Sequence, residues 1–400
     1  VSRAGAGIFP SSVHAPPAPR ASVYVHFPWC LEKCPYCDFV SYRTERAAID
    51  HRGYADAVLR ELAWRAPAFE GRVVGSVFFG GGTPSLWEPA ELGRVLAAIA
   101  AVLPTTSDLE VTVECNPTSL DRPRVDALAG VGVNRLSIGA QSLRADALRF
   151  LGRLHDHEGA LAAVDAALAA RDLRVSADLI FGLPEQSPEE AASQAALLAE
   201  RGLSHLSCYQ LTIEPGTRFG ELARVGRLPL ADDGRVAEAF LAIDEALSAR
   251  GLEHYEISNY ARPGEEARHN LGYWRGEEYL GLGCGAYGFM RTRGGGERWR
   301  NDVLPARWME RAGTPAAEAE RERLSPDALL RERIMLGLRL ARGFDLEEAA
   351  RDVGAEAWTT ARRRSAEQLA QRGRLLLEGP RLRVPRAAWL FTDDTAARLF

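Results

Sequence analysis

Between residues 22 and 250 the chain alternates six short apolar or β-branched runs with six longer amphipathic stretches, and few folds accommodate that rhythm. The runs lie at residues 22–26, 75–79, 109–114, 134–138, 174–180 and 203–211. The helical patterns lie at 52–65, 89–102, 122–128, 144–150 with 156–170, 188–201 and 233–250. Ser187 precedes Pro188, Glu189 and Glu190, a helix start with Pro in the first turn. Strands separated by a whole helix come back parallel, because an antiparallel return needs only a tight turn. About 230 residues in six such units predict an incomplete (β/α)6 barrel of parallel strands rather than an open dinucleotide-binding sheet.

Sheets of this kind offer the carboxyl ends of their strands to a ligand. Unusual residues gather at that edge six times: a cysteine cluster after the first run, Gly80 to Pro84 after the second, and Glu114 at the end of the third. Gln141 follows the fourth, Asp178 ends the fifth, and Thr212 and Glu214 close the sixth.

The pattern changes beyond residue 250. Residues 253–258 read as one more strand, 281–288 as a glycine-rich loop and 291–297 as a Gly/Arg turn. Helical patterns follow at 327–340, 346–353 and 356–372, then short apolar runs at 375–377 and 382–384. Helices succeeded by a β-ribbon suggest a small winged-helix-like domain. The division expected is therefore a disordered tail (1–21), the barrel (22–250), an α+β extension (251–324) and the winged-helix-like domain (325–400). The tail is rich in Ala, Pro, Gly and Ser and lacks the apolar core of a secretory signal.

A formal charge of −5 argues against a general grip on nucleic acid, and no run of 18 apolar residues predicts a membrane span. Arg362, Arg363 and Arg364 are expected on a solvated helix face rather than in a DNA groove. Of six cysteines, Cys30, Cys34 and Cys37 fall within eight residues, which favours metal or catalysis in a reducing cytoplasm over a disulfide framework. Three soft donors on one loop suit three corners of an iron–sulfur cluster. Zinc, with His26 or Asp38 as fourth ligand, and three buried thiols are the other readings. Cys115, Cys208 and Cys284 read as small buried hydrophobes. The GxGxxG match at 283–288 lacks the βαβ setting and acidic partner of a dinucleotide site.

The stretch from Tyr24 to Phe39, with Cys30, Cys34, Tyr36 and Cys37, resembles the signature of the radical S-adenosylmethionine (SAM) enzymes. More narrowly it is similar to the branch of the oxygen-independent coproporphyrinogen III oxidases and the HemW-type heme chaperones. The resemblance implies a [4Fe–4S] cluster on Cys30, Cys34 and Cys37, its open iron chelated by SAM. It carries over Gly81, Gly82 and Thr83 as SAM contacts, Glu114 for the amino group, Arg153 for the carboxylate, Gln141 and Asp178 for the ribose, and Tyr24 and Tyr36 as flanking contacts. His269, Asn270, Tyr273 and Trp274 form an HNxxYW pattern associated with heme in the chaperone branch. The oxidases carry a further cysteine where this chain has Phe39.

The resemblance therefore implies a heme chaperone that hands heme to acceptor proteins, with cluster and SAM supporting its structure or dimerisation rather than turnover. The alternative is the oxidase, which decarboxylates coproporphyrinogen III. Radical modification of RNA is disfavoured by the acidic charge.

Overall fold

The computed structural model describes residues 18–400. Six strands follow the expected rhythm: β1 (Arg20–Phe27), β2 (Val73–Gly81), β3 (Thr105–Cys115), β4 (Arg135–Gln141), β5 (Arg174–Phe181) and β6 (His205–Gln210). They pair in that order, all parallel. The crossovers are α1 (His51–Arg65), α2 (Pro89–Val102), α3 (Arg122–Gly130), α4 (Ala145–Phe150) with α5 (His157–Leu168), and α6 (Pro188–Glu200). After β6, α7 (Asp233–Ser248) packs against α6.

Local chemistry explains the helix starts. Asp50, Asp156 and Asp232 each accept a backbone N–H from the first turn they precede, and Ser187 with Glu190 makes a full capping box. The strands are buried on both faces; in β4 every residue except Gln141 is buried. That is what parallel strands flanked by helices require.

β1 begins at Arg20, inside the stretch expected to be tail, because Ala21 is buried and pairs on both sides, with β2 and with a strand far downstream. The rest of that expectation, residues 1–17, lies outside the described residues.

Downstream come β7 (Glu253–Glu256), β8 (Asn259–Ala261), α8 (Arg268–Trp274), β9 (Glu278–Leu282), β10 (Tyr287–Thr292), β11 (Gly295–Asn301) and β12 (Glu318–Leu324). The complete sheet runs β12-β11-β10-β9-β1-β2-β3-β4-β5-β6-β8-β7. Two expectations are corrected. β9 is a seventh parallel strand laid along β1, where the glycine content had suggested a loop from residue 281. The Gly/Arg turn is the tip of a hairpin whose arms, β10 and β11, extend the sheet antiparallel.

The C-terminal region carries α9 (Pro326–Gly337), α10 (Leu346–Val353) and α11 (Thr360–Gln371) with a three-stranded antiparallel sheet. It has its own apolar core, including Leu330, Ile334, Leu346, Leu382 and Trp389. The arginine run at its centre is not a uniform solvated face. Arg362 is 3% exposed and donates to the carbonyls of Glu356, Ala357 and Leu399, each at 2.8 Å, tying the last residues of the chain to α11. Among the described residues no helix is long and apolar enough to cross a membrane.

Candidate functional site

At the carboxyl edge of the parallel strands lies a cavity of about 430 Å3. Its first wall is the loop after β1. A two-residue parallel ladder, Trp29–Cys30 with Tyr42–Arg43, closes the loop at its base. His26 Nε2 lies 2.7 Å from the Val40 carbonyl and therefore donates to it, leaving Nδ1 to accept from the Tyr24 hydroxyl at 2.9 Å. The only lysine in the chain, Lys33, reaches across the loop to the carbonyls of Phe39 (3.0 Å) and Ser41 (3.1 Å). The loop is thus held open by side chains rather than by a core of its own.

Cys30, Cys34 and Cys37 are half-buried free thiols on this loop. Each has a polar neighbour: the Thr83 hydroxyl is 3.5 Å from Cys30 Sγ, Arg153 Nη1 3.4 Å from Cys34 Sγ, and the Ser41 hydroxyl 3.9 Å from Cys37 Sγ. Burial pushes the Cys30 thiol up to about 11 and raises that of Cys37, so a metal centre must displace their protons. No three Cys, His, Asp or Glu side chains among the described residues converge on a single ion. Three thiols set apart round one loop suit a polynuclear centre better than one zinc ion.

The second wall is the glycine run after β2. Gly81 has φ +110°, and a Cβ there would lie 2.5 Å from the His26 ring; one on Gly82 would lie 2.6 Å from the Trp29 carbonyl oxygen. Only glycine lets this strand end lie against the thiol loop. The Gly81 N–H donates to Glu114 Oε2 at 3.0 Å. Burial, with the Asp178 charge adding to it, pushes the Glu114 carboxyl up to about 8. Asp178 is also raised by burial and accepts from the Ser137 hydroxyl at 3.2 Å.

β4 supplies the third wall. Its register with β5 shifts between Ile138 and Gln141, a bulge that re-aims Gln141, which sits at φ 63° in the left-handed region. Arg153 spans the gap between strand end and loop, donating to Gly139 O at 2.8 Å as well as approaching Cys34. A ligand bearing an ammonium, a carboxylate and hydroxyl groups meets complementary groups around one cavity.

Cys30, Cys34, Cys37, Tyr36, Gly81, Gly82, Thr83, Glu114, Gln141, Arg153, Asp178, Thr212 and Glu214 all line this cavity. Tyr24 does not: it lies beneath, its ring against Gly80 and its hydroxyl on His26, because alternation along β1 turns it into the barrel. Asn116, Ser137, Tyr209 and Gln210 also line the cavity. Extending the strand-end rule by a residue or two would have found them.

The four residues of the HNxxYW pattern lie elsewhere, on α8. His269 is 2% exposed, stacked on Phe78 at 4.8 Å, with Nδ1 2.9 Å from the Ser76 hydroxyl and Nε2 3.2 Å from the Tyr273 hydroxyl. Ser76 donates onward to Ser22, so His269 Nδ1 is the donor and Tyr273 donates to Nε2. Burial pushes this imidazole down to about 3. Trp274 faces a separate cavity of about 570 Å3 between α8 and the C-terminal unit, with Tyr255, Leu340 and Phe344. Asn270 lines neither cavity.

These buried groups set a pH dependence of stability. Glu114 keeps its proton in the folded protein up to about 8 but loses it near 4.5 when unfolded, so stability falls as pH rises across that window. His26 and His269, held down to about 4 and about 3 from 6.5, act oppositely, and stability falls as pH drops below 6.5. Urea midpoints of the metal-free protein should peak between these limbs, and Glu114→Gln should flatten the alkaline one while Asp178 retains part of it. An alkaline slope unchanged in that variant refutes the assignment to Glu114.

The chain matches the Radical SAM superfamily over residues 24–198 and the HemN C-terminal domain over 324–391. It is 41% identical to the heme chaperone HemW of Escherichia coli K12 over 270 residues, 68% of this chain and 70% of that protein. To the heme chaperone HemW of Mycobacterium tuberculosis H37Rv it is 34% identical over 96% of this chain and 95% of that protein. Its fold is similar to coproporphyrinogen III oxidase (HemN) from Escherichia coli, with a TM-score of 0.80 at 22% identity over 97% of this chain and 91% of that one.

Proposed function

The chain belongs to the radical SAM superfamily and, within it, to the family of the heme chaperone HemW, and on that premise we propose that it binds heme and passes it to acceptor proteins. The observation that carries this reading is the likeness to a chaperone along nearly the whole chain. Phe39, in the position of the oxidases' further cysteine, is 57% exposed at the cavity edge and supports it.

Membership of the superfamily implies SAM and a [4Fe–4S] cluster, which when bound together supply one-electron reductive chemistry at the sulfonium. The donor set fits them. Cys30, Cys34 and Cys37 hold the cluster, and Thr83 and Arg153 donate to the first two sulfurs. Gly81, Gly82 and Thr83 let the methionyl group approach the backbone, with Tyr36 flanking and Tyr24 supporting the wall from beneath through His26. Glu114 takes the ammonium, Arg153 the carboxylate through its planar fork, and Gln141 and Asp178 the ribose hydroxyls. An oxygen-labile cluster and free thiols fit a reducing cytoplasm, and a homodimer fits a chaperone that meets its acceptors transiently.

Heme is assigned to the α8 motif of His269, Asn270, Tyr273 and Trp274. Trp274 already faces open space beside the C-terminal unit. His269 reaches iron only if α8 lifts away, since its two ring nitrogens are engaged by Ser76 and Tyr273.

Two assays test the proposal. Anaerobically reconstituted protein given reductant, SAM and coproporphyrinogen III should form no protoporphyrinogen IX, whereas heme titration should give a saturable Soret band. Trp274→Ala and His269→Ala should weaken heme binding at least tenfold and leave the cluster spectrum intact. Turnover of coproporphyrinogen III makes the chain an oxidase, and unchanged heme affinity removes α8 from the heme site.

A further inference from the structure

Three neighbouring strands of the barrel present a polar face. On β4, β5 and β6 the alternate residues are Arg135 and Ser137, Ser176 and Asp178, His205 and Ser207, while Leu136, Ala177 and Leu206 between them turn the other way. Barrels of this class ordinarily fill their interior with branched apolar side chains. A polar wall in that place needs a physical reason.

Arg135 is 3% exposed and forms no ion pair among the described residues. The Glu110 carboxylate on β3, whose charge Arg135 favours, is committed elsewhere: to Arg174 Nη1 at 2.8 Å and to the backbone N–H groups of Arg268 and His269, each at 3.1 Å. Burying a guanidinium without a carboxylate in contact is costly, and a barrel that needed only filling would do better with an apolar side chain.

From Arg135 the direction of each hydrogen bond is forced. A guanidinium only donates, so Ser176 Oγ accepts from Nη2 at 3.0 Å and turns its own proton onward. The nearer of its two acceptors is Ser137 Oγ at 2.9 Å, against 3.3 Å for the Leu136 carbonyl. Ser137 then donates to Asp178, with Oδ1 at 3.2 Å and Oδ2 at 3.3 Å. Every proton in this chain points from the buried cation toward the carboxylate, and each donor is polarised by the charge behind it. Asp178 and Ser137 line the SAM-sized cavity; Arg135 and Ser176 do not.

We propose that Arg135 is a positioning residue for SAM: through Ser176 and Ser137 it holds the Asp178 carboxylate ready to accept from the ribose hydroxyls. The inference rests on the cluster and SAM reading above. Burial raises the Asp178 carboxyl, and Ser207, Arg135, Ser137 and Arg153 oppose that rise. Glu114 on β3 faces it with like charge. The thiols of Cys115 and Cys208, pushed up by burial, and the phenol of Tyr209 are neutral near pH 7. So are the imidazoles of His205 and His269 beside Arg135, which burial pushes down. Arg153 is already engaged by Cys34 and Gly139, which leaves Arg135 as the cation dedicated to Asp178.

The test uses full-length reconstituted protein and the variants Arg135→Met and Ser176→Ala. The probes are SAM and its analogue lacking both ribose hydroxyls, bound anaerobically and measured by equilibrium dialysis. Dividing the Kd of the analogue by that of SAM isolates what the hydroxyls contribute and cancels changes at the cluster or the methionyl end. In the parent this ratio should be about tenfold or more and level from about pH 6.5 to about pH 8.5. In Arg135→Met it should fall to about twofold or less at the acid end and climb with pH, because Asp178 then ionises only in alkali. Ser176→Ala, which cuts the chain and keeps the charge, should lower the ratio at least about threefold, and Arg135→Lys should retain most of it. An unchanged ratio in Arg135→Met and Ser176→Ala, even with both ligands bound more weakly, makes Arg135 a structural residue and overturns the proposal. A loss in Arg135→Met that is the same at every pH overturns it too. Should Arg135→Met not fold, Ser176→Ala decides alone, and its unchanged ratio is fatal. A parent ratio near one leaves SAM binding in place and removes the inference, whereas a parent that binds neither probe removes the underlying reading as well.

Discussion

Cys34→Ser is expected to purify with less than about a tenth of the iron and sulfide of the parent protein and without the broad visible absorbance of an iron–sulfur centre. The loop brings three thiols to the cavity, and the polar neighbours of Cys34 are the guanidinium of Arg153, which cannot ligate a cation, and the phenol of Tyr36, which burial keeps protonated. The fold should survive. Cys34 is half-buried, and the loop is held by His26, Lys33 and the Trp29–Tyr42 ladder rather than by its sulfur. Anaerobic reconstitution followed by iron and sulfide analysis, with circular dichroism as the folding control, decides the matter. Full iron and sulfide in the variant contradict the assignment.

Glu61→Ala is expected to destabilise the protein by about 3 kcal/mol, the cost of breaking a buried ion pair from one side. Glu61 is 0% exposed on α1; Oε1 accepts from Arg65 Nε and from Asn301 Nδ2, both at 2.8 Å, and Oε2 from the Gly283 N–H at 2.8 Å. Arg65 in turn reaches Asn301 Oδ1 at 2.9 Å and Glu318 at 3.1 Å. This network ties α1 to β11, to the start of β12 and to the glycine loop after β9. Removing the carboxylate strands Arg65 with one acidic partner and leaves a backbone N–H unpaired. Glu61→Leu combined with Arg65→Met should recover most of the loss, because it removes both charges rather than one. Denaturant midpoints of the two variants against the parent provide the test, and a single-variant change under about 1 kcal/mol contradicts the role given to the network.

The same network shows what the GxGxxG match is for. Its setting, without a βαβ unit or an acidic partner, argues against a dinucleotide, and in the folded protein Gly283 donates to Glu61 while Cys284 is fully buried with its thiol on Val303 O. No local pattern announces that partnership, since Glu61 and Gly283 are 222 residues apart. The arginine run of α11 teaches a similar lesson. Three adjacent charges look alike in a string, yet helix geometry buries Arg362 beneath the chain end and sets Arg363 over the Trp358 ring at 5.1 Å.

What was legible from the amino-acid string was whatever short-range chemistry dictates. Strand and helix alternation follows from side-chain periodicity, helix starts from capping residues one turn away, and the thiol cluster from three cysteines on one loop. The rim residues Glu114, Gln141 and Asp178 were readable because a parallel strand ends where its apolar run ends, so the edge can be located without knowing the neighbours. Partnerships between distant segments were not readable. Only the tertiary structure made residues 278–282 a seventh parallel strand against β1, turned Tyr24 under the cavity floor, locked both nitrogens of His269 against Ser76 and Tyr273, and linked Arg135 to Asp178 through two hydroxyls. Propensity and spacing act over a few residues, whereas burial and pairing depend on what the rest of the chain brings alongside.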